Sequence, residues 1–335
     1  MGCSAAPVRS APGGTSLADA FSVDPQTAPR LSWPDSKTFA FTVFDDPDAQ
    51  SYEDGRLIYA FLEDLGFRTT RGVWPGPVLR EPNSGGETCE YPRYRRHNQE
   101  LQERGFEIGY HHTTRHSSSR EEIIRGLDDF RSYFGRTPAA MANHYNAEAI
   151  YWGDARLTGP SRYVYSAATL RRTQGRFSGH IRGNAHFWGD VCREQITYCR
   201  NFVYADVNTL DACPWMPYHD PDKPFVRSWY ASSEGSNVTR FLATLAPENI
   251  DRLEQEGGAC IMYAHFGHGF TENGRLHPEF RRTMERLSKR PGWFVPVSPL
   301  LDYLAARQGD RVLTHDQRSA LERRWLWQKC FRGTS

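Results

Sequence analysis

Two aspartates, Asp45 and Asp46, close the apolar run Thr38–Phe44. Adjacent carboxylates point in different directions, so one can bind a cation while the other moves a proton. A pair in that place can equally cap the turn that follows. His112 and His116 stand four apart in His112-Thr-Thr-Arg-His116. On one helical turn that spacing lets two imidazoles converge on one metal, although a solvent-facing pair has the same spacing. His111, just before them, is a candidate to support such a site from behind. His265 follows the apolar run Ala259–Ala264 and precedes Phe266-Gly267-His268-Gly269. The two glycines suggest a turn that lets the backbone approach a ligand closely. A lone histidine after a strand can also be purely structural.

The elements that must position these residues alternate in type. Thr38–Phe44 reads as a strand, and Leu57, Ile58, Phe61, Leu62 and Leu65 fall at helical spacing before Gly66. Phe67 to Val73 predicts a second strand, and residues 75–92 a loop. A helix over 94–104 leads to the strand Phe106–Tyr110. Ser119-Arg-Glu-Glu122 then resembles a capping box ahead of Ile123, Leu127 and Phe130. Short strands are expected at Ala139–Asn143 and Tyr163–Ala167. The stretch 170–236 shows no period and reads as long loops decorating the core. Pro247–Gln255 predicts a helix, Ala259–Ala264 a buried strand, 278–289 and 299–307 helices around a strand Trp293–Val297, and 315–329 a last helix capped by Thr314. Alternating strands and helices argue for an α/β fold with parallel strands, and a barrel explains why several strands end in ligand-type residues. We expect a disordered leader over 1–30, a barrel domain over 31–310 and a C-terminal helical extension over 311–335.

Composition narrows the function. The 335 residues carry 41 basic and 40 acidic side chains, a formal charge of +1, which gives no electrostatic case for nucleic acid as a partner. No apolar run approaches the roughly 20 residues that a bilayer span requires, so no membrane partner is expected. The seven cysteines are scattered and odd in number. Met1-Gly2-Cys3-Ser4 is followed by Ala, Pro, Gly and Ser rather than an apolar segment, and Ala6 occupies the place where myristoylation wants Ser or Thr. A reducing, cytoplasmic location is the expectation. Oligomeric state is not legible.

Three strand ends thus carry, in order, Asp-Asp, His-x-x-x-His and His. In this the chain resembles the polysaccharide deacetylase family (carbohydrate esterase family 4, the NodB homology domain). Its first motif is matched by Thr42-Val-Phe-Asp45-Asp46, with Pro47 in place of the usual Gly. Its second is matched by Gly105-Phe-Glu-Ile-Gly109 leading into His112 and His116, and its late strand by Ile261-Met-Tyr-Ala-His265. Trp293-Phe-Val-Pro-Val-Ser298 and Leu300–Leu304 are similar to its closing strand and helix.

The resemblance implies a distorted (β/α) barrel of the polysaccharide deacetylase type, with long loop insertions. It implies one divalent cation, zinc first, with iron, cobalt or nickel also suited, on Asp46, His112 and His116. It further implies Asp45 as general base and His265 as general acid. The family's third motif carries an Arg that orients the catalytic Asp. The corresponding Met141-Ala-Asn143-His144-Tyr145-Asn146 has none, and Asn143 or His144 could hydrogen-bond in its place. His186-Phe-Trp188-Gly-Asp190 holds the residue types of the fourth motif. Tyr145, Tyr151, Trp152, Trp215, Tyr218, Trp229 and Tyr230 could stack on sugar faces or anchor loops. The implied activity is a metal-dependent hydrolase that removes an acyl group, N-acetyl first among them, from a sugar-containing substrate. A metal-containing carbohydrate-binding protein without catalysis, and an amidase acting on a non-sugar amide, are the alternatives.

Overall fold

The first strand, β1 (Phe39–Asp45), is buried along its whole length. A parallel strand covered on both faces needs no polar alternation, which is why its sequence reads as one apolar run. The computed structural model describes residues 31–309 and 311–335; the expected leader over 1–30 lies outside the described residues. After β1, Ser51 caps α1 (Tyr52–Asp64) by accepting from the Asp54 amide. The chain returns through β2 (Thr70–Val73), α2 (Pro92–Glu103), β3 (Glu107–Tyr110), α3 (Arg120–Phe134) and β4 (Ala140–Met141). Ser119 and Glu122 form the expected capping box, and α3 ends at the left-handed Gly135.

Next come α4 (Gly159–Ala168), α5 (Gly189–Gln195), β5 (Tyr198–Tyr204), α6 (Thr209–Ala212), β6 (Tyr218–His219) and β7 (Ser228–Ser233). The chain closes with α7 (Val238–Thr244), α8 (Pro247–Glu256), β8 (Ala259–Ala264), the hairpin β9 (Thr271–Glu272) and β10 (Arg275–Leu276), α9 (Pro278–Leu287), β11 (Gly292–Phe294), α10 (Val297–Gln308), β12 (Arg311–Val312) and α11 (His315–Arg332).

Strands β1, β2, β3, β4, β5, β7 and β8 pair in parallel in that order, and β8 pairs back with β1. The sheet is therefore a closed barrel of seven strands ringed by helices. One edge of β1 is shared: Phe39, Ala40 and Phe41 pair with β11, while Phe44 and Asp45 pair with β2. That splits the ring there and distorts it.

Three expectations are corrected. Tyr163–Ala167 lies in α4, which opens on Gly159-Pro160 with proline in its first turn. Its Tyr163 and Val164 are exposed while Tyr165 is buried, the one-sided pattern of a helix. The stretch 170–236 contains two barrel strands instead of loops alone. Arg200 and Asn201 interrupt the apolar run of β5, and β7 sets Trp229 and Tyr230 among Ser and Ala, so neither shows a period. Val297, expected in a strand, begins α10.

Helix α11 packs on β5 and α4. Glu322 accepts from the Thr158 amide and hydroxyl, and Gln328 accepts from the Ala205 amide. Ser32–Ser335 forms one unit. On the other side, buried Glu107 of β3 accepts from Thr70 Oγ1 at 2.6 Å, from the Ser298 amide at 3.1 Å and from Ser298 Oγ. A carboxylate against the first turn of α10 suits the positive end of the helix dipole. Glu107→Ala removes three acceptor contacts and strands the Ser298 amide, so we expect a loss of about 3 kcal/mol in urea unfolding. A loss under about 1 kcal/mol would show that this clasp does not hold α10 to the barrel.

Candidate active site at the carboxyl ends of the barrel strands

Asp45 and Asp46 leave the end of β1 on opposite sides, as successive strand residues must. Asp45 is fully buried on the outer side. Its Oδ2 accepts from Tyr59 Oη at 2.9 Å and Gln50 Nε2 at 3.0 Å, and its Oδ1 from the Phe266 amide at 2.8 Å. Gln50 in turn accepts from Arg71 Nη2 at 2.6 Å. Burial pushes the Asp45 carboxyl up to about 6, against the opposing pull of Arg71 and its hydrogen-bond donors.

Asp46 faces inward. Arg200 of β5 grips it with both nitrogens, Nη1 to Oδ1 at 3.0 Å and Nη2 to Oδ2 at 2.5 Å, both side chains being buried. The register of β5 against β7 shifts between Arg200 and Val203. Such an irregularity re-aims a side chain, here the guanidinium toward Asp46. Arg200 also lies 4.3 Å from the ring centroid of Tyr263.

Two residues on, Asp48 stands between two imidazoles. His111, directly after β3, places Nε2 at 3.2 Å from Asp48 Oδ2, and His144, after β4, places Nδ1 at 3.3 Å from Oδ1. Asp48 Oδ2, His111 Nδ1 and His144 Nε2 are buried without a hydrogen-bond partner. Burial alone would raise the Asp48 carboxyl, but the two histidines outweigh it and hold it well below the usual carboxylate range. Burial lowers His111 despite Asp46 and Asp48 nearby, so it is neutral at pH 7, the form that binds metals. Each of Asp48, His111 and His144 offers a ligand atom within 4.8 Å of the others, as do Asp46, Asp48 and His265. Orphaned polar atoms on two imidazoles and a carboxylate fit a divalent ion.

His265 completes the cluster. Its Nδ1 donates to the Ser236 carbonyl at 2.9 Å, which turns Nε2 toward Asp48 Oδ2 at 3.7 Å and Asp46 Oδ2 at 3.9 Å. Tyr263 Oη lies 3.1 Å from the same Nε2. A Cβ on Gly267 would meet the Asp48 carbonyl and the backbone of Ala49 and Gln50 at 2.5 Å. The glycine expected to admit a ligand thus lets the His265 loop lie against the Asp48 loop. The Trp74 ring packs against His144 and His111.

A solved structure from Mycobacterium smegmatis, provisionally named a polysaccharide deacetylase, matches with a TM-score of 0.50 at 14% identity, over 86% of this chain and 98% of that one. The chain has the polysaccharide deacetylase fold. Puue allantoinase matches with a TM-score of 0.48 at 12% identity, over 84% of this chain and 95% of that one. Peptidoglycan deacetylase PdaC from Bacillus subtilis matches with a TM-score of 0.38 at 13% identity, over 85% and 96%. No protein-family model and no curated protein matches the sequence.

Within this deacetylase-type barrel, the residues expected as ligands are not brought together. His112 adopts φ 66° and no helix forms between β3 and α3, so the spacing of His112 and His116 does not place them on one face. His112 sits 3.2 Å from Asn143 Oδ1 and 3.5 Å from Glu148 Oε1, with Trp188 against its ring. His116 accepts from the Leu79 amide at 3.0 Å through Nε2, so its Nδ1 donates to the Ser117 carbonyl at 3.0 Å. It lines a separate cavity of about 160 Å3 with Leu79, Glu122 and Arg125. Asp46 is in the cluster, but beside Arg200. Asp45, expected as the base, is occupied by its three donors.

The other candidates divide. His111 and His144 flank Asp48. Asn143 does not stand in for an arginine; it bonds both backbone groups of Ile150. Tyr145 is exposed, with the Arg176 guanidinium 3.7 Å from its ring centroid. Trp188 is buried and donates to the Glu148 carbonyl, while Asp190 pairs with Arg120. Asp48, Arg200 and Tyr263 escaped sequence reading. Asp48 had a signal, a third carboxylate in Asp45-Asp46-Pro47-Asp48. Arg200 had a fainter one, a charge inside a seven-residue strand of large apolar neighbours.

Because Asp45 titrates near 6 when folded and near 3.8 unfolded, the fold holds its proton more tightly. Its contribution is full below the unfolded value and is lost as pH rises through about 6. The total is on the order of 3 kcal/mol. Urea unfolding of wild type between pH 4 and 7 should show this fall, and Asp45→Asn should flatten it. An unchanged slope in the variant would remove Asp45 as its source.

Proposed function

We propose that this chain is a metal-dependent hydrolase that removes an acyl group, N-acetyl first among them, from a sugar-containing substrate. The observation that carries this reading is the meeting of Asp48, His111 and His144 with the Asp46–Arg200 pair and His265 at one end of the barrel. Active sites of such barrels lie at that end, on residues contributed by several strands. Two imidazoles and a carboxylate suit zinc, and equally iron, cobalt or nickel. A divalent ion held there would supply Lewis-acid polarisation of the acyl oxygen and make water acidic enough to react near neutral pH.

The chain's own residues then have separate tasks. Asp48, His111 and His144 would hold the ion. Arg200 fixes the orientation of the Asp46 carboxylate, so that it can take a proton from attacking water. The Ser236 carbonyl fixes the His265 ring with Nε2 toward the cluster, where it can pass a proton to the leaving nitrogen. Tyr263 steadies that same Nε2.

A second reading keeps the chemistry and replaces the sugar with a small non-sugar amide. The burial of the cluster favours it, since even the His265 side chain is only 14% exposed. Acetate or amine release from panels of N-acetylated sugars and of small amides separates the two substrates. We expect Asp48→Ala and His144→Ala to purify with at least about tenfold less divalent metal than wild type, and His116→Ala to retain it. Elemental analysis reads this directly. Asp46→Asn should keep its metal while kcat falls by about 100-fold or more. Loss of metal from Asp46→Asn would instead make Asp46 a ligand, as the sequence first suggested. A metal-loaded wild type that hydrolyses nothing in either panel would leave a binding protein.

A further inference from the structure

Arg156 ends a short 3-10 turn, Gly153–Arg156, after the β4 strand. It is 3% exposed, and its Nε is buried without a partner. Among the described residues its guanidinium makes no ion pair and no hydrogen bond. What it does touch is aromatic: its centre lies 3.6 Å from the Trp152 ring centroid and 5.0 Å from that of Trp325. The ionisable groups that act on it most strongly are Tyr165, Arg200, Tyr263 and Cys199. None is a carboxylate, and Lys329 of α11 adds a further cation nearby.

Burying a charge without a counter-charge is costly, and most side chains in that position are paired or neutralised. A guanidinium cannot escape by losing its proton near neutral pH. Cation–π contact with two indoles offsets part of the cost. It does so through the guanidinium faces and leaves the N–H edge unsatisfied, the edge that reads carboxylate and phosphate oxygens. The position is also informative. Arg200, one of the groups acting on Arg156, grips Asp46, and Tyr263, another, bonds His265. Trp152 is half-buried, so one wall of this place reaches the surface.

We propose that Arg156 is the anion-reading residue of the site, binding an oxyanion group, carboxylate or phosphate, carried by the substrate. Placing that group on a substrate rests on the hydrolase reading above; the oxyanion subsite itself does not. The hydrolase then acts on acidic N-acyl compounds in preference to neutral ones.

Thermal unfolding and calorimetric titration of the full chain with sodium acetate and with inorganic phosphate, against chloride at equal ionic strength, test the subsite without any turnover. Wild type should show a saturable rise in Tm with at least one of the two, and which one identifies the group. Arg156→Met should fold with a Tm no lower than wild type, since a buried charge without an ion pair or hydrogen bond is removed and an apolar side chain still packs on the two indoles, and should lose the oxyanion effect. Arg156→Lys, which keeps the charge but not the fork, should bind about tenfold more weakly. In the turnover arm, kcat/KM for N-acetyl amino acids should fall about 10- to 100-fold in Arg156→Met, against less than about threefold for N-acetylglucosamine. Oxyanion binding that depends on Arg156 without hydrolysis of any acyl compound supports the subsite and sinks the hydrolase reading. No oxyanion effect in wild type, or one that survives in Arg156→Met, overturns the subsite.

Discussion

Asp46 and Arg200 are 154 residues apart in sequence and meet inside the barrel through two charge-assisted hydrogen bonds. Both ions are out of water, so their attraction must offset two desolvation penalties, and only close bidentate geometry does that. Breaking such a pair by removing one partner typically costs about 3–5 kcal/mol. Much follows from the way the pair orients the end of β1. With Asp46 held inward, Asp45 must point outward, where the Phe266 amide binds it. The Asp46 amide itself donates to the Ala264 carbonyl at 2.8 Å. Both contacts pin the segment around His265. A single ion pair thus sets the positions of the inner carboxylate, the outer carboxylate and the late histidine.

The other half of the cluster depends on a network of hydrogen bonds between loops. Glu148 accepts from the Ser118 amide and from Asn146 Nδ2, and Asn146 donates to the Thr114 and His116 carbonyls. Asn83 donates to Asn146 in turn. These bonds tie the segment after β3 to the segment after β4. They bring His111 and His144 to opposite oxygens of Asp48. The left-handed backbone at His112 belongs to the same arrangement, because it turns that side chain toward Asn143 and Glu148 and away from Asp48. The residues whose spacing looked like a ligand motif are therefore the support for neighbouring residues that face the carboxylate.

This explains what was legible in the sequence. β1, β8 and α3 were readable because a fully buried strand and a capping box leave local marks. The order of chemically competent strand ends, and the resemblance built on it, led correctly to the barrel. Strand β5 was hidden by Arg200, the very residue that the inner carboxylate requires. The arginine that grips the inner carboxylate comes from β5 and not from the segment after β4, a pairing that no local motif could reveal. His111 and His144 are separated by a whole helix and strand, and Asp48 lies beyond a proline. Their convergence is a property of barrel closure, not of spacing. Local pattern also failed at α4, where aromatic and β-branched residues imitate a strand although one face is exposed.

Strand β1 pairs with β2 on one edge, shares that edge with β11, and pairs with β8 on the other. Its partner in β8 begins at Ala259, more than half the chain away from Ala40. During synthesis, the run Phe39-Ala-Phe-Thr-Val-Phe44 therefore emerges early and keeps one edge open until β8 follows. An apolar, β-prone segment with an unpaired edge is a template for intermolecular pairing. Such long-range closure also makes folding slow, because loop entropy must be spent before the contacts that reward it can form. The architecture that gathers the cluster at one barrel end thus exposes the growing chain to aggregation, and gives it a built-in need for protection of its first strand until the ring is complete.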